Sequence, residues 1–306
     1  MTSSAEDKPS ELTLYQLNPG GPSVVALGGG HGLAASLQAA RSYASQLAGV
    51  VSVGDDGGSS GRLRAEFGVA APGDVRRCIS ALAGDNLLAE SLEYRFTDGP
   101  LTGHPIGNLL LTGMAISSGD FQVAIDELCR LTEVDGAIYP ATTVPVRLLA
   151  DSDEGTISGQ VTIERAGGIR NLRFEPPNPP VSAQAIAAVK EADQVIIGPG
   201  SLYTSVLATA VVPGLRAALR DTSAQRVFVA NVANEKALAR GFGLAEHLGA
   251  LKDHGVPVDV VLAHDGGEKA DLGSIPLVRA NLAAEDGWGH NYERLGNALS
   301  TIWVDW

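Results

Sequence analysis

The sequence predicts an α/β fold: a Rossmann-like parallel sheet with helices on both faces and a helical plus small β insertion between its two halves. Three observations predict it. An apolar run at 23–27 stops at a glycine cluster and is followed by a helical pattern. A second apolar run at 49–53 ends at Gly54-Asp55-Asp56, which completes strand, helix and strand within about 30 residues, the length of a βαβ unit. After residue 182 the same alternation of apolar runs and helical patterns returns. Buried parallel strands read as continuous apolar runs, and alternation of the two element types points to a doubly covered sheet.

The first helix is expected over about 33–45, with Leu33, Leu37, Ala40 and Ala44 on one face. Residues 56–61, Asp-Gly-Gly-Ser-Ser-Gly, read as a loop leading into a short basic stretch ending at Arg64. Pro72-Gly73-Asp74 reads as a turn, with Asp74 capping a helix that runs to about 83. Helices are expected over 86–95, 107–116 and 121–131, with a loop at 101–105. The stretch 137–174 is rich in Thr, Val and Ile, and alternating runs such as 160–164 suggest small antiparallel strands. Four prolines within 175–180 exclude helix and central strand there. Helices then follow at 182–191, 215–220, 244–253 and 292–302, and strands at 194–197, 226–230 and 259–262. This organises the chain as a polar tail over 1–20 and a single domain over 21–306, with the inserted helices and small strands at about 62–180.

The chain has 306 residues and is 44% hydrophobic, enough to bury a sizeable core. Its formal net charge of −13 opposes binding to nucleic acid phosphates or to an anionic membrane, both of which need a basic footprint. A small anion remains compatible, because backbone N–H groups can hold it whatever the global charge. The two cysteines, Cys78 and Cys129, form no C-x-x-C and read as reduced side chains. With no run of 18 apolar residues and no apolar core near the N-terminus, neither membrane insertion nor a signal peptide is expected. The expected location is cytoplasmic. A homo-oligomer is compatible with an α/β chain of this size.

Four loops should open at one sheet edge. The first is Gly28-Gly29-Gly30-His31-Gly32-Leu33, where small residues and a helix start suit an anion. It is not the dinucleotide fingerprint, because Leu33 stands where the third glycine belongs, and no P-loop lysine follows. Taken alone, it serves equally well as a plain strand-to-helix turn. The second is Asp55-Asp56-Gly57-Gly58-Ser59-Ser60, whose carboxylates suit a ribose hydroxyl or a divalent cation and whose N–H groups and hydroxyls suit phosphate. The third carries Gly198, Gly200, Ser201, Tyr203 and Thr204, and the fourth Asn231. Ligands bind outside the carboxyl ends of the strands in open α/β sheets. Arg62 and Arg76 could offset phosphate charge, and Asp74, His104 and Asn108 lie in neighbouring Gly- or Pro-flanked turns. His247, His254 and His264 read most simply as surface or helix residues, and no zinc spacing is present.

These motifs together resemble the YvcK, or gluconeogenesis-factor, family within the CofD-like group. The resemblance rests on Leu-Gly-Gly-Gly-His-Gly-Leu (27–33), Asp-Asp-Gly-Gly-Ser-Ser-Gly-Arg-Leu-Arg (55–64), Pro-Gly-Asp-Val-Arg (72–76), Tyr-Arg-Phe (94–96), Gly-His-Pro-Ile-Gly-Asn-Leu (103–109) and Gly-Pro-Gly-Ser-Leu-Tyr-Thr-Ser (198–205). The histidine in the first turn looks like the actinobacterial branch. The resemblance implies a CofD-like fold that binds UDP-sugars, notably UDP-N-acetylglucosamine, with no required cofactor. It implies a regulatory role in cell-wall precursor flux, cell shape and growth on gluconeogenic carbon sources, rather than a known reaction. The alternative it carries is a CofD-like transferase acting on a nucleoside diphosphate-linked donor, with Mg²⁺ near Asp55 and Asp56. Two departures, Lys236-Ala-Leu-Ala239 and His290-Asn291-Tyr292, fall in the half expected to hold the sugar or uracil end.

Overall fold

The computed structural model describes residues 17–232, 243–267, 270–285, 287 and 289–306. The chain opens with β1 (Ser23–Gly28), α1 (Gly30–Arg41) and β2 (Gln46–Val51). Five helices follow: α2 (Gly58–Phe67), α3 (Gly73–Leu82), α4 (Leu87–Ser91), α5 (Ile106–Ser118) and α6 (Phe121–Leu131). Next come β3 (Ala137–Pro140), β4 (Arg147–Ser152), β5 (Gly155–Ser158), α7 (Gln160–Arg165) and β6 (Arg170–Glu175). The second half runs α8 (Ala183–Glu191), β7 (Gln194–Ile197), a π turn at Leu202–Val206, α9 (Leu207–Ala210), α10 (Pro213–Asp221) and β8 (Gln225–Val229). It ends with α11 (Leu244–Asp253), β9 (Val260–His264), β10 (Leu277–Ala280) and α12 (Tyr292–Val304).

Seven strands form one parallel sheet in the order β10-β9-β8-β7-β1-β2-β3. Its central strands are buried on both faces: Val24, Val25, Ala26 and Leu27 of β1 and Val195, Ile196 and Ile197 of β7 are at most 3% exposed. That is why these segments carry no polar alternation. The chain steps outward from β1 through β2 to β3, then returns to lay β7 on the other side of β1, with Val24 paired to Gln194 and Leu27 to Ile197. The order therefore reverses between β1 and β7, and the crevice outside their carboxyl ends is where such sheets take ligands.

The insertion is two units. Helices α2–α6 lie between β2 and β3, and a three-stranded antiparallel sheet, β5-β4-β6, lies between β3 and β7. Four expectations are corrected. Residues 137–140 join the main sheet as its parallel edge strand rather than the small sheet. Residues 160–164 are helical, because Asp56 accepts the N–H groups of Gln160 and Val161 at 3.0 Å each and so satisfies the donors a helix start leaves open. The Gly-Ser run at 58–61 is the first turn of α2, not a loop. Asp74 is not a cap: α3 starts at Gly73 after Pro72, and the buried Asp74 carboxylate turns to the Gly30 N–H of α1. Strand β10 and the π turn had no sequence signal. Residues 17–20, expected in the tail, are tied down: Leu17 packs on the core and the Asn18 N–H donates to Ala44 O at 2.8 Å.

At the opposite, amino edge a buried polar ladder docks α12. The Tyr43 hydroxyl donates to Gln194 Oε1 at 2.6 Å. Gln194 Nε2 donates to Gln225 Oε1 (2.8 Å) and Leu299 O (3.3 Å), and Gln225 Nε2 donates to Ile302 O (3.1 Å). Burial pushes the Tyr43 hydroxyl pKa up, so it stays a donor. Gln194→Leu orphans Tyr43 Oη and Gln225 Oε1. At about 1–3 kcal/mol per orphaned group, the variant should lose about 2–6 kcal/mol in urea unfolding, whereas an unchanged midpoint would show that the ladder does not hold α12. Among the described residues no single helix is long and apolar enough to cross a membrane. The bent pair Leu202–Ala210 and Pro213–Asp221 passes such a test by composition, but it is core, with Leu207, Ala210, Leu215 and Leu219 fully buried.

Candidate functional site

The β1–α1 turn and the loop after β7 clasp each other at the switch point. Gly32 lies so close to Pro199 that an added Cβ would stand 2.6 Å from its carbonyl carbon. Ser36 Oγ donates to Gly198 O at 2.7 Å and Thr209 Oγ1 to Gly28 O at 3.0 Å. Gly28 and Gly30 have positive φ, and Gly29 is the N-cap of α1. The first-turn N–H groups of α1, at Gly30, His31 and Gly32, have no acceptor within the helix, and the helix dipole adds positive potential there. His31 is exposed on the rim, and partial burial together with Arg77 and Arg76 lowers its pKa. Leu33 is fully buried, so its side chain is a core anchor, not part of the ligand surface.

Two more helix starts meet this turn. An added Cβ on Gly29 would stand 2.6 Å from Asp74 Oδ2, which puts the start of α3 against the start of α1. Gly73 in turn lies against Ser60 Oγ, and its added Cβ would be 3.6 Å from Asp55 Oδ2. Asp55 thus faces Asp74 across the starts of α2 and α3. Asp55 Oδ1 accepts the Gly57 N–H at 2.9 Å. Asp74 accepts from the Gly30 N–H and from Arg77 at 2.8 Å. Burial raises the Asp74 pKa; Arg77 opposes this and the Asp55 charge adds to it. Asp56 turns away, both oxygens being engaged by α7. The adjacent pair expected from sequence is therefore replaced by Asp55 with Asp74. Magnesium is commonly held by one or two carboxylates plus substrate phosphates. Asp55 and Asp74 fit that pattern, and among the described residues no group of three or more His, Cys, Asp or Glu forms a cage.

The remaining expected residues divide into crevice and support. Ser60 Oγ and the α2 first-turn N–H groups, beginning at Gly58, border the crevice, whereas Ser59 Oγ is committed to His104 Nδ1 (2.8 Å) and Asn108 Nδ2 (3.0 Å). Arg76 is 1% exposed and donates through Nε to Asn108 Oδ1 at 3.1 Å, and it pairs with Glu93. Burial lowers its pKa to about 10, so it stays charged but does not reach a ligand. Arg77, which the sequence reading passed over, is the half-buried cation beside Asp74 and His31. Arg62 is exposed and donates to Thr102 O at 2.9 Å. Asn231 braces the third loop: its Oδ1 accepts the Gly200 N–H at 2.9 Å and its Nδ2 donates to Gly200 O at 3.1 Å. Tyr203 and Thr204 are buried and Ser201 is half-buried. Ser205, expected with them to offer a hydroxyl, is buried too, with its Oγ 3.4 Å from the added Cβ of Gly29 and so against the α1 start.

On the far side, His290 Nε2–H donates to Ala230 O at 3.1 Å, and burial lowers its pKa to about 4. Asn291 caps α12 by accepting the Arg294 N–H at 3.0 Å. Residues 236–239 lie outside the described residues. The three histidines read as surface or helix residues have structural partners. His254 Nδ1–H donates to Ala250 O and its Nε2 accepts the Leu172 N–H, tying α11 to β6. His264 Nδ1 accepts the Leu282 N–H, and His247 stacks on Phe228.

The fold is Rossmann-like, with the starts of α1, α2 and α3 gathered at its topological switch point. The family model for the 2-phospho-L-lactate transferase CofD matches residues 24–275, and the chain belongs to that family. Within it, the chain groups with the gluconeogenesis factors. It is 45% identical over 245 residues to the putative gluconeogenesis factor of Mycobacterium tuberculosis, covering 76% of this chain and 72% of that protein. It is 44% identical to the Nostoc counterpart, of which it spans 52%. Two crystal structures of a UPF0052-family protein of Bacillus halodurans match at 32% identity. Their TM-scores are 0.83 and 0.85, covering 90% and 91% of this chain and 97% and 99% of theirs.

Proposed function

We propose that this chain is a regulatory protein that binds a nucleoside diphosphate sugar of the UDP-N-acetylglucosamine type. The convergence of the α1 and α2 starts on one crevice carries the reading, since a diphosphate can accept from the first-turn N–H groups of both helices, the Gly30 N–H held by Asp74 excepted, without a basic surface. Arg77 sits beside the α1 turn to offset its charge, and Ser60 and Ser205 supply hydroxyls. The names of the relatives, gluconeogenesis factors, support a role in growth on gluconeogenic carbon sources, and the proposal extends it to cell-wall precursor flux and cell shape. Calorimetry with UDP-N-acetylglucosamine, UDP-glucose, NAD and GTP tests the reading. Heat is expected with the uridine sugars, and silence with both would remove it.

A second reading, a CofD-like Mg²⁺-dependent transferase on a nucleoside diphosphate-linked donor, is favoured by one observation. Asp74 is a buried carboxylate with a raised pKa facing Asp55, an arrangement that a divalent cation relieves. When bound there, Mg²⁺ would supply charge neutralisation on the diphosphate. Asp55→Asn and Asp74→Asn should each remove any Mg²⁺ enhancement of nucleotide binding, while Asp56→Asn should leave it intact and loosen the small sheet instead. Equal loss in all three variants would return the adjacent pair to consideration.

A further inference from the structure

The chain Glu93–Arg76–Asn108–Ser59–His104, buried from Arg76 to His104 and exposed at Glu93, has one direction of hydrogen bonding that uses every polar hydrogen within it. Arginine can only donate. Arg76 Nη1 donates to Glu93 and its Nε to Asn108 Oδ1 at 3.1 Å. The Asn108 oxygen is thereby identified, so its amide nitrogen donates to Ser59 Oγ at 3.0 Å. Ser59 Oγ could accept twice, but its hydroxyl hydrogen has no acceptor among the described residues other than His104 Nδ1, at 2.8 Å, so the bond that leaves no buried hydrogen unused runs from Ser59 to His104. A ring nitrogen that accepts carries no proton, and the neutral ring must carry it on Nε2. Nε2 has no hydrogen-bond partner among the described residues and is not one of the sealed, unpaired polar atoms. It therefore reaches solvent. Arg62 and Arg95 stand close enough to His104 to act on its charge, and both donate to the loop before it, at Thr102 O and Gly103 O.

We propose that Arg76 and Asn108 are positioning residues that lock His104 as the Nε2–H tautomer, making it a fixed hydrogen-bond donor to an anionic oxygen of the ligand. Phosphate-bearing loops gain little from a histidine of either tautomer, because half the population would present a lone pair to the anion. Directional locking removes that half. Burial and Arg62 also lower the His104 pKa, so the ring keeps a single proton at neutral pH. The ligand-facing part rests on the nucleotide-sugar reading, but the tautomer is a property of the free protein.

The test is long-range ¹H–¹⁵N correlation of the His104 ring in the free full chain at pH 7. The expected result is a protonated Nε2 and an unprotonated Nδ1, and a protonated Nδ1 overturns the proposal. Asn108→Asp removes the donor to Ser59, whose hydroxyl turns to the new carboxylate. His104 must then donate through Nδ1, so the tautomer should reverse. Retention of Nε2–H in a folded Asn108→Asp protein overturns the role of Asn108. Glu93→Gln keeps the direction of the chain and should leave the tautomer unchanged. Binding of UDP-N-acetylglucosamine should weaken about tenfold in Asn108→Asp, the value of one lost charge-assisted hydrogen bond. A reversed tautomer with unchanged affinity would overturn the ligand-facing role alone. If wild-type protein binds no uridine sugar, the tautomer result still stands or falls by itself.

Discussion

Gly32→Ala should abolish ligand binding and destabilise the protein by about 2–4 kcal/mol. In an ordinary helix this substitution stabilises, by about 1 kcal/mol of helix propensity. Here the new methyl would stand 2.6 Å from the Pro199 carbonyl carbon, and the obstacle is backbone, not a flexible side chain. Relief requires the α1 turn and the β7 loop to part. Parting stretches Ser36 Oγ to Gly198 O and Thr209 Oγ1 to Gly28 O, at about 1 kcal/mol each, on top of about 1–3 kcal/mol for overpacking. Gly113→Ala is the matched control. Gly113 lies in α5 with no atom within 4 Å of an added Cβ, so it should gain about 1 kcal/mol. Urea unfolding of both variants, with calorimetry on the folded protein, separates the two effects. A Gly32→Ala protein as stable as Gly113→Ala would show that the two loops are not in mutual contact.

The sheet was legible in the sequence because its strands are buried on both faces. Runs such as Val24 to Leu27 have no polar residue to confuse the period, and their glycine endings mark the carboxyl edge. The grouping of loops at that edge followed from topology alone. Individual roles within the loops did not, because they depend on contacts between segments distant in sequence. Asp55 and Asp56 are chemically equivalent as neighbours in the chain. Asp56 is drawn away by the α7 N–H groups about a hundred residues later, while Asp55 stays beside Asp74. That pull also explains why 160–164 is helical against its alternating pattern. Arg76 and Arg77 are likewise neighbours on α3. Asn108 and Glu93 draw the first inward, and Asp74 holds the second at the rim one helical turn from itself. Asn231 sits at the expected strand end, yet it spends its amide on the Gly200 backbone.

The far half of the crevice should be acid-labile, and His290 is the main reason. Its ring is buried, donates to Ala230 O, and lies near His264. Burial puts its folded pKa at about 4 against an ordinary 6.5. The folded state therefore resists a proton that the unfolded state accepts. Its contribution is fully present above pH 6.5 and is lost as pH falls from 6.5 through 4, to a limit of about 3 kcal/mol. His31 and His104, both with lowered pKa, act in the same direction. Asp74 acts oppositely: its raised pKa means the folded state takes a proton more readily, so its contribution grows as pH falls through that raised value. Urea unfolding at pH 7.5, 6 and 5 should show falling stability, steepest below 6. His290→Gln can still donate to Ala230 O but cannot ionise, so it should flatten the slope while costing little at pH 7.5. Asp74→Asn should steepen the slope at the acid end by removing the carboxyl whose proton uptake opposes it. Ala230 leads directly into Asn231, the brace of Gly200, so ligand affinity should fall with pH before the protein unfolds, and His290→Gln should protect it. An unchanged slope in His290→Gln would place the acid sensitivity elsewhere, on His31 or His104, whose single variants would then carry it.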